Sequence, residues 1–178
     1  MRKALFILGS LSDLDVDWLI ENGSKEKISA NQVLIGQGEA VSSLYFITQG
    51  EFAVTNPKQG NKEIARLKSG EVVGEMSFID SSPPSASVVA KQDSTVLAIP
   101  REDLADHLKD DTGFASRFYY ALAVFLSDRL RKTVKSLGYG EHNEDDDDMG
   151  DEIDLGVMDN LHLAGARFDT IMRRLSEI

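Results

Sequence analysis

The chain has 178 residues, of which 42% are hydrophobic and 28% are charged, and its net charge at pH 7 is −11. This length supports one sizeable hydrophobic core, or one domain with an appended segment. The absence of cysteine excludes disulfide bonds and thiolate metal sites, and it fits a reducing compartment, so the cytoplasm is the expected location.

The N-terminal segment, residues 1–25, begins with two basic residues and a short apolar run. Arg2 and Lys3 precede the apolar stretch Ala4–Leu8, which resembles the start of a secretory signal. The stretch is too short for the hydrophobic part of a signal peptide or for a membrane span. We therefore expect a helical segment here that packs on the domain, without a membrane association.

The first predicted helix covers residues 13–22. Ser12 and Asp15 have the spacing of a capping box, in which each side chain accepts a hydrogen bond from the other residue's backbone N–H. Gly23 is a suitable residue to end the helix. Leu14, Trp18 and Leu19 are predicted to form its apolar face.

Residues 27–99 show short alternating strands that are separated by clusters of glycine, asparagine and serine. Asn56–Pro57 and Gly60–Asn61 bracket a polar hairpin loop within this region. Many short strands at close spacing are typical of an antiparallel roll or barrel. The predicted fold class is therefore α+β, with an antiparallel, jelly-roll-like β-roll flanked by helices.

The stretch 70–90, with the sequence GEVVGEMSFIDSSPPSASVVA, contains the residues best suited to hold a ligand. A short helix opening at Glu75, after Gly74, would have unpaired amides in its first turn. The small residues Ser85 and Ala86 would let a phosphate approach a second set of backbone N–H groups. The alternative is a tight turn between two strands of the roll, and the spacing does not separate the two.

Two further helices are predicted after the strands, a short one over 100–110 and a long one over 113–137. The long helix carries an apolar stripe that would cover the roll, and a second stripe that would contact another subunit or close over a ligand. The first stripe consists of Phe114, Phe118, Leu122, Phe125, Arg129, Leu130, Val134 and Leu137, and the second of Tyr119, Tyr120, Leu126 and Thr133.

The composition changes abruptly after residue 138. Residues 141–159 contain ten acidic side chains and no lysine or arginine, so most of the net negative charge is local. Like charges at this density favour solvation, and we predict an acidic linker over 139–159. A calcium site is the alternative, but the aspartate spacing does not match an EF-hand loop.

The last predicted helix covers residues 160–178. Its apolar seam has alternating three- and four-residue steps, and its arginines lie outside the seam. A helix this short is marginal alone, so it must dock on its own domain, on a second copy, or on a protein partner. The seam residues are Leu161, Ala164, Phe168, Ile171 and Leu175.

No catalytic constellation is evident in the sequence, and we predict a protein that is not an enzyme. His107, His142 and His162 have no spacing that suggests a metal site or a catalytic triad. Direct DNA binding is not expected either, because the acidic run would repel phosphates. No metal or cofactor is predicted beyond the ligand itself.

Residues 33–56 together with 64–75 resemble the cyclic nucleotide-binding domain family, which includes catabolite-activator-type regulators, cyclic-nucleotide-dependent kinases and gated channels. The resemblance covers about residues 11–136, so it implies that 26–138 form a β-roll with one long helix. The residues that carry it are Gly36, Gly38, Tyr45, Ile47, Gly50, Val54, Gly70, Gly74 and Glu75.

The resemblance also implies roles for individual residues. Gly74 would bring its backbone close to the ligand's phosphate, and Glu75 would bind the ribose 2′-hydroxyl. Ser85 and Ala86 would offer their amides to the phosphate. The family's phosphate-binding arginine is replaced here by Pro84, which has neither charge nor N–H. Its loss should weaken binding of cyclic AMP or cyclic GMP by about 1.5–3 kcal/mol.

The chain also looks similar to stand-alone cyanobacterial members of this family, a resemblance that implies cyclic di-GMP as the ligand and a catabolite-activator-type transcription factor as the partner. Such a ligand requires arginines, because a guanidinium group can stack on a guanine ring or donate hydrogen bonds to its N7 and O6 atoms. A mononucleotide receptor and a ligand-free homodimeric scaffold are the two other hypotheses. The candidate cyclic di-GMP residues are Arg129, Arg131, Lys132, Arg167, Asp169, Arg173 and Arg174.

Overall fold

A computed structural model describes residues 6–136 and 155–176 of the chain. Eight strands form two four-stranded antiparallel sheets, with the orders β1-β8-β3-β6 and β2-β7-β4-β5. The predicted α+β fold with an antiparallel roll is therefore confirmed. The strands are β1 (Ser24–Ile28), β2 (Val33–Ile35), β3 (Ser43–Gln49), β4 (Glu51–Asn56), β5 (Lys62–Lys68), β6 (Val72–Val73), β7 (Ser87–Ala90) and β8 (Ser94–Pro100).

Strand β3 of the first sheet is buried on both faces, because its side chains alternate between two cores. In β3, Tyr45 and Ile47 belong to the core between the two sheets, together with Phe52 of β4. Leu44 and Phe46 point the other way and pack with the helices. One strand therefore connects the roll to the helical layer that carries the C-terminal elements.

Six α-helices are described. Four of them, α2, α4, α5 and α6, correspond to predicted helices, and α3 is the helix at Glu75 that the sequence left open against a tight turn. The first helix, α1, lies in the N-terminal segment that was predicted to be helical, but its bounds were not predicted, because five residues are too few to show a helical period. The capping box is present, with Asp15 N donating to Ser12 Oγ at 3.2 Å and Ser12 N donating to Asp15 Oδ2 at 2.6 Å. The helices are α1 (Phe6–Ser10), α2 (Asp13–Asn22), α3 (Glu75–Asp80), α4 (Arg101–Asp110), α5 (Thr112–Ser136) and α6 (Leu155–Ser176).

The C-terminal helix α6 docks on its own domain, against α1 and α2. Ala164, Ile171 and Leu175 are buried, as the predicted seam requires, and Phe168 packs against the same core. The helix begins at Leu155 and not at residue 160, so the end of the predicted linker is helical. Residues 137–154, with most of the predicted linker, lie outside the described part of the chain.

Several predicted helix faces need correction. Leu14 is 79% exposed, because it lies on the side of α2 that faces away from the domain. Leu130 and Val134 of the first α5 stripe are also exposed, because this end of α5 turns them away from the core. Leu126 of the second stripe is partly buried and packs against the core. Tyr119 and Tyr120 are exposed, and their contact with another subunit or a ligand stays a prediction.

None of the helices within 6–136 and 155–176 is long and apolar enough to span a membrane.

Candidate functional site

Gly74 stands at the entry of the candidate site, between β6 and α3. Its φ of +90° is a backbone conformation that favours glycine. A Cβ atom at this position would lie only 2.9 Å from the carbonyl oxygen of Ser43, so a side chain would collide with backbone. Both constraints select glycine here, and they fix the start of α3 against the edge of β3.

Glu75, the first residue of α3, is buried and paired with an arginine from the long helix. Its side chain is only 3% exposed, and Arg129 Nη1 donates a hydrogen bond to Glu75 Oε1. The Arg129 guanidinium also lies over the Phe125 ring, 4.9 Å from its centroid. A buried carboxylate requires such a partner, because an unpaired charge in this position would be strongly destabilising.

This ion pair unites two sets of residues that the sequence analysis kept apart. Glu75 was predicted as a mononucleotide contact, and Arg129 as a cyclic di-GMP contact. The signal for their pairing is a charged residue inside the apolar stripe of α5, one turn after Phe125. The sequence could not show which carboxylate it meets, because the two residues are 54 positions apart.

The segment of Ser85 and Ala86 is held by the turn after β2. Gly38 N donates to the carbonyl oxygen of Pro84 at 2.9 Å, and Gln37 Nε2 donates to that of Ser85 at 2.7 Å. Gln37 N also donates to Ser87 Oγ at 2.9 Å. Ser85 remains exposed and Ala86 is partly exposed. The small pair is therefore fixed in place by the turn after β2 and is open to solvent.

A second arginine, Arg101, lies beside this stretch and was not among the predicted site residues. Its Nη2 donates to Ser81 Oγ at 2.7 Å, at the end of α3, and its backbone N donates to Ser42 O at 2.9 Å. Arg101 lines a shallow depression together with Gly74 and Phe78. Two arginines therefore contact the helix that follows Gly74, although Pro84 itself supplies no charge.

The candidate cyclic di-GMP residues are not gathered at one place. Arg167 donates from Nε to Asp13 Oδ1 at 2.8 Å, and Arg174 pairs with Asp17, so both are engaged with α2. Arg129 lies instead at Glu75. The exposed members are Arg131, Asp169 and Arg173, whereas the side chain of Lys132 lies outside the described part of the structure.

The histidines that the structure describes serve packing or lie at the surface. His107 stacks on Trp18 with ring centroids 4.1 Å apart, and His162 is exposed on α6. His142 lies outside the described residues. In the part of the chain described, no group of three or more histidine, aspartate or glutamate side chains could hold a metal ion.

Comparison with known proteins identifies the domain. The family model described as "Cyclic nucleotide-binding domain" matches residues 25–111. The crystal structure of a cyclic nucleotide-binding domain from Methylobacillus flagellatus superposes with a TM-score of 0.69 at 25% identity, covering 79% of this chain and 85% of that one. The match begins at β1 and ends just after α4, so it includes Gly74, Glu75 and Ser85.

The related proteins that match this chain in sequence extend well beyond the matched region. The Cyclic AMP receptor protein of Thermus thermophilus is 32% identical over 124 residues, which is 68% of this chain and 56% of that protein. An uncharacterized NTE family protein of Mycobacterium bovis is 28% identical over 130 residues, which is 72% of this chain and 22% of that protein. The chain thus spans about a fifth to a half of these relatives.

Proposed function

Because this chain belongs to the cyclic nucleotide-binding domain family, we propose that it is a non-catalytic receptor for a cyclic mononucleotide, and that it reports binding to a protein partner through α5. The observation that carries this proposal is the ion pair between Glu75 and Arg129. Through this ion pair, Glu75, the residue expected to bind the ribose, is in direct contact with the long helix α5.

The ligand is placed by the chemistry of each group. The ribose hydroxyl donates to the Glu75 carboxylate, which is 3% exposed and paired with Arg129, so the Arg129 side chain has to move aside to admit the ligand. The cyclic phosphate accepts from the amides of Ser85 and Ala86, of which Ser85 is exposed and Ala86 partly exposed. A ligand that enters here changes the surroundings of Arg129, and α5 responds because Arg129 is part of it.

Support for a mononucleotide also comes from a relative that is named Cyclic AMP receptor protein. Cyclic di-GMP stays a prediction. It carries two phosphates and two guanines and needs several cations within reach of one another. Two of its candidate arginines, Arg167 and Arg174, already pair with acids of α2. We therefore place the mononucleotide first and cyclic di-GMP second.

Output through protein contact, and not through DNA, is part of the same proposal. The acidic run over 141–159 would repel a nucleic acid, whereas it suits a basic protein surface. A transcription factor is one class of partner that fits. We also propose a homodimer through the outward face of α5, for which the exposed Tyr119, Tyr120 and Leu130 are suited.

Calorimetric titration of the full chain with cyclic AMP, cyclic GMP, cyclic di-GMP and cyclic di-AMP tests the proposal. We expect heat with a mononucleotide. Glu75→Gln should weaken that binding about 10- to 150-fold, which corresponds to about 1.5–3 kcal/mol for a charged hydrogen bond. Glu63→Gln is the matched control, because Glu63 pairs with Arg66 at the surface.

The remaining outcomes decide between the other hypotheses. The wild type could instead bind cyclic di-GMP, with binding lost in Arg129→Ala and Arg131→Ala and retained in Glu75→Ala. That result would show that the chain is a receptor for the dinucleotide. If none of the four nucleotides gives heat or thermal stabilisation, the ligand-free scaffold is the hypothesis that remains. A ligand at 100 times its Kd stabilises the folded state by about 2.7 kcal/mol, so thermal unfolding detects it independently.

A further inference from the structure

The helix α6 covers an apolar face that α1 and α2 build together. Ile171 and Leu175 of α6 are buried in the same core cluster as Leu8 of α1 and Val16 and Ile20 of α2. The face therefore requires a helix above it, because its own apolar side chains would otherwise meet water. The match to the cyclic nucleotide-binding domain ends at residue 111, so α6 lies outside it.

Charge complementarity fixes the position of α6 on this face. Asp13, Asp17 and Glu21 follow one another at four-residue steps along α2. Arg174 binds the second and third of these acids, with Nη2 3.7 Å from Glu21 Oε1. Arg167 binds Asp13, and it also donates to the carbonyl oxygens at the end of α1, Leu8 O at 2.9 Å and Gly9 O at 3.0 Å.

The spacing of the two arginines on α6 matches the spacing of the acids on α2. The two arginines are seven residues apart on α6, a rise of about 10.5 Å, and the three acids cover about 12 Å on α2. Each arginine thus meets its own section of the acidic row. A helix is recognised here by an apolar seam and by two basic residues seven positions apart.

The ionic part of this contact is suited to exchange. Asp13 and Glu21 are 86% and 68% exposed, so water and salt screen their interactions. The segment 137–154, which connects α6 to α5, contains nine acids and no lysine or arginine. This segment and the acids of α2 are both negative, so they repel each other. A helix from a basic protein would not add this repulsion.

We propose that the α1–α2 face is a docking site for a basic amphipathic helix of a partner protein, and that α6 is its resident occupant, which the partner's helix replaces. The partner's helix carries the same pattern as α6. The core is covered before and after the exchange, because one helix takes the place of another. This site is independent of the nucleotide ligand that is proposed above.

Binding of a labelled peptide to the full-length chain tests this proposal. The probe is a synthetic peptide with the sequence of residues 155–178, labelled with fluorescein and followed by anisotropy. The double variant Arg167→Glu/Arg174→Glu weakens only the resident helix, because the peptide keeps both arginines. We expect it to bind the peptide at least tenfold more tightly than the wild type, and the peptide should raise the Tm of the variant.

A matched control has the same charge change away from the contact. Arg131→Glu/Arg173→Glu alters two exposed arginines and should leave peptide binding at the wild-type level. Adding Asp13→Lys/Asp17→Lys to the first variant restores the resident contact with reversed charges and should abolish the gain. Arg174→Gln, a milder change, should increase peptide affinity in the same direction if the double variant folds poorly by circular dichroism.

Two results would overturn the proposal. The first is peptide affinity in Arg167→Glu/Arg174→Glu and in Arg174→Gln that equals that of the control. The second is a dimer of the double variant with the wild type, seen by light scattering and dissociated by the peptide. That dimer would assign the face to α6 of a second copy and not to a partner protein.

Discussion

Two arginines of α5 each meet a buried carboxylate from a different part of the chain. Arg117 binds Asp15 of α2 through two hydrogen bonds, from Nε at 2.7 Å and from Nη2 at 2.8 Å. Arg129 binds Glu75 of α3. Bidentate and buried contacts of this kind are stronger than surface ion pairs. They fasten α5 at two points, once to the N-terminal helices and once to the candidate site.

The Asp15 contact makes stability depend on pH. Burial alone raises the pKa of Asp15, but hydrogen bonds from Arg117 and then from Ser12 outweigh it and hold the pKa below its ordinary value of 3.8. Because the pKa is lower in the folded state than in the unfolded state, the Asp15 carboxylate stabilises the fold at pH values above its ordinary pKa. This contribution is lost as the pH falls through the folded-state pKa.

We expect Asp15→Asn to lower the free energy of unfolding by about 1.5–3 kcal/mol at pH 7, because a charged hydrogen-bonded pair is lost. Urea unfolding between pH 7 and pH 3 measures the effect, and the difference from the wild type should shrink toward pH 3. Asp106→Asn is the control, since Asp106 pairs with Lys109 at the surface. A difference that stays constant with pH would contradict the assignment.

Pro84 decides how tightly the candidate site holds an anion. Proline places no charge beside Ser85, although Gly74, Glu75 and the small pair are retained. We expect Pro84→Arg to tighten cyclic AMP binding about 10- to 150-fold, which corresponds to about 1.5–3 kcal/mol. Calorimetry measures the change.

Pro83→Arg is the matched control for this substitution, because Pro83 is the exposed neighbour of Pro84 and has the same residue type. It should leave the affinity unchanged apart from a small general effect of charge. Tight binding by the wild type together with a neutral Pro84→Arg would show that the alignment of this stretch is wrong.

Helix α5 has one face on the core and one face in water. The outward face carries Tyr120, Ala123, Ser127, Leu130 and Val134, at alternating three- and four-residue steps. This is the spacing of a coiled-coil seam, and its small residues allow two helices to approach closely. A seam of this kind is complementary to itself across a two-fold axis, which favours a second copy of the chain as its partner.

We therefore expect Tyr120→Glu and Leu130→Glu to convert a dimer into a monomer, because each places like charges opposite one another in the seam. Size-exclusion chromatography with light scattering measures the mass. Leu14→Glu is the control, since Leu14 is an exposed leucine away from α5. A wild-type chain that is monomeric at every concentration tested would refute this prediction.

The whole molecule depends on a core to which five helices (α1, α2, α4, α5 and α6) and the first sheet contribute. This cluster joins Leu19 of α2, Leu104 of α4, Phe118 of α5 and Ile171 of α6 to Phe46 of β3. Elements that share one core unfold together in a small domain. The C-terminal helix is therefore part of the folding unit, although the segment before it lies outside the described structure.

Ile171→Ala should lower the free energy of unfolding by about 2–5 kcal/mol, because Ile171 is 1% exposed and its truncation leaves a cavity. Urea unfolding measures it through the fluorescence of Trp18, the only tryptophan, and through circular dichroism. Both transitions should shift together. The exposed Leu163→Ala should cost little, and a shift in only one of the two signals would mean that α6 unfolds separately.

The sequence by itself determined the roll, the helices α2, α4 and α5 to within one or two residues, and the stretch around Gly74 as the candidate ligand site. These features depend on local rules, namely the alternation of strand residues, the capping box of Ser12 and Asp15, and glycine at a turn that needs positive φ. The pattern of Ala164, Ile171 and Leu175 also required that the last helix dock somewhere.

Only the tertiary structure decided which residues meet. Arg129 pairs with Glu75, and Arg167 with Asp13, across 54 and 154 positions of sequence. A charged side chain can reach any opposite charge that the fold brings near it, so spacing along the chain carries no information on its partner. The docking of α6 on α1 and α2 was open for the same reason, because an apolar seam fits any complementary surface until packing selects one.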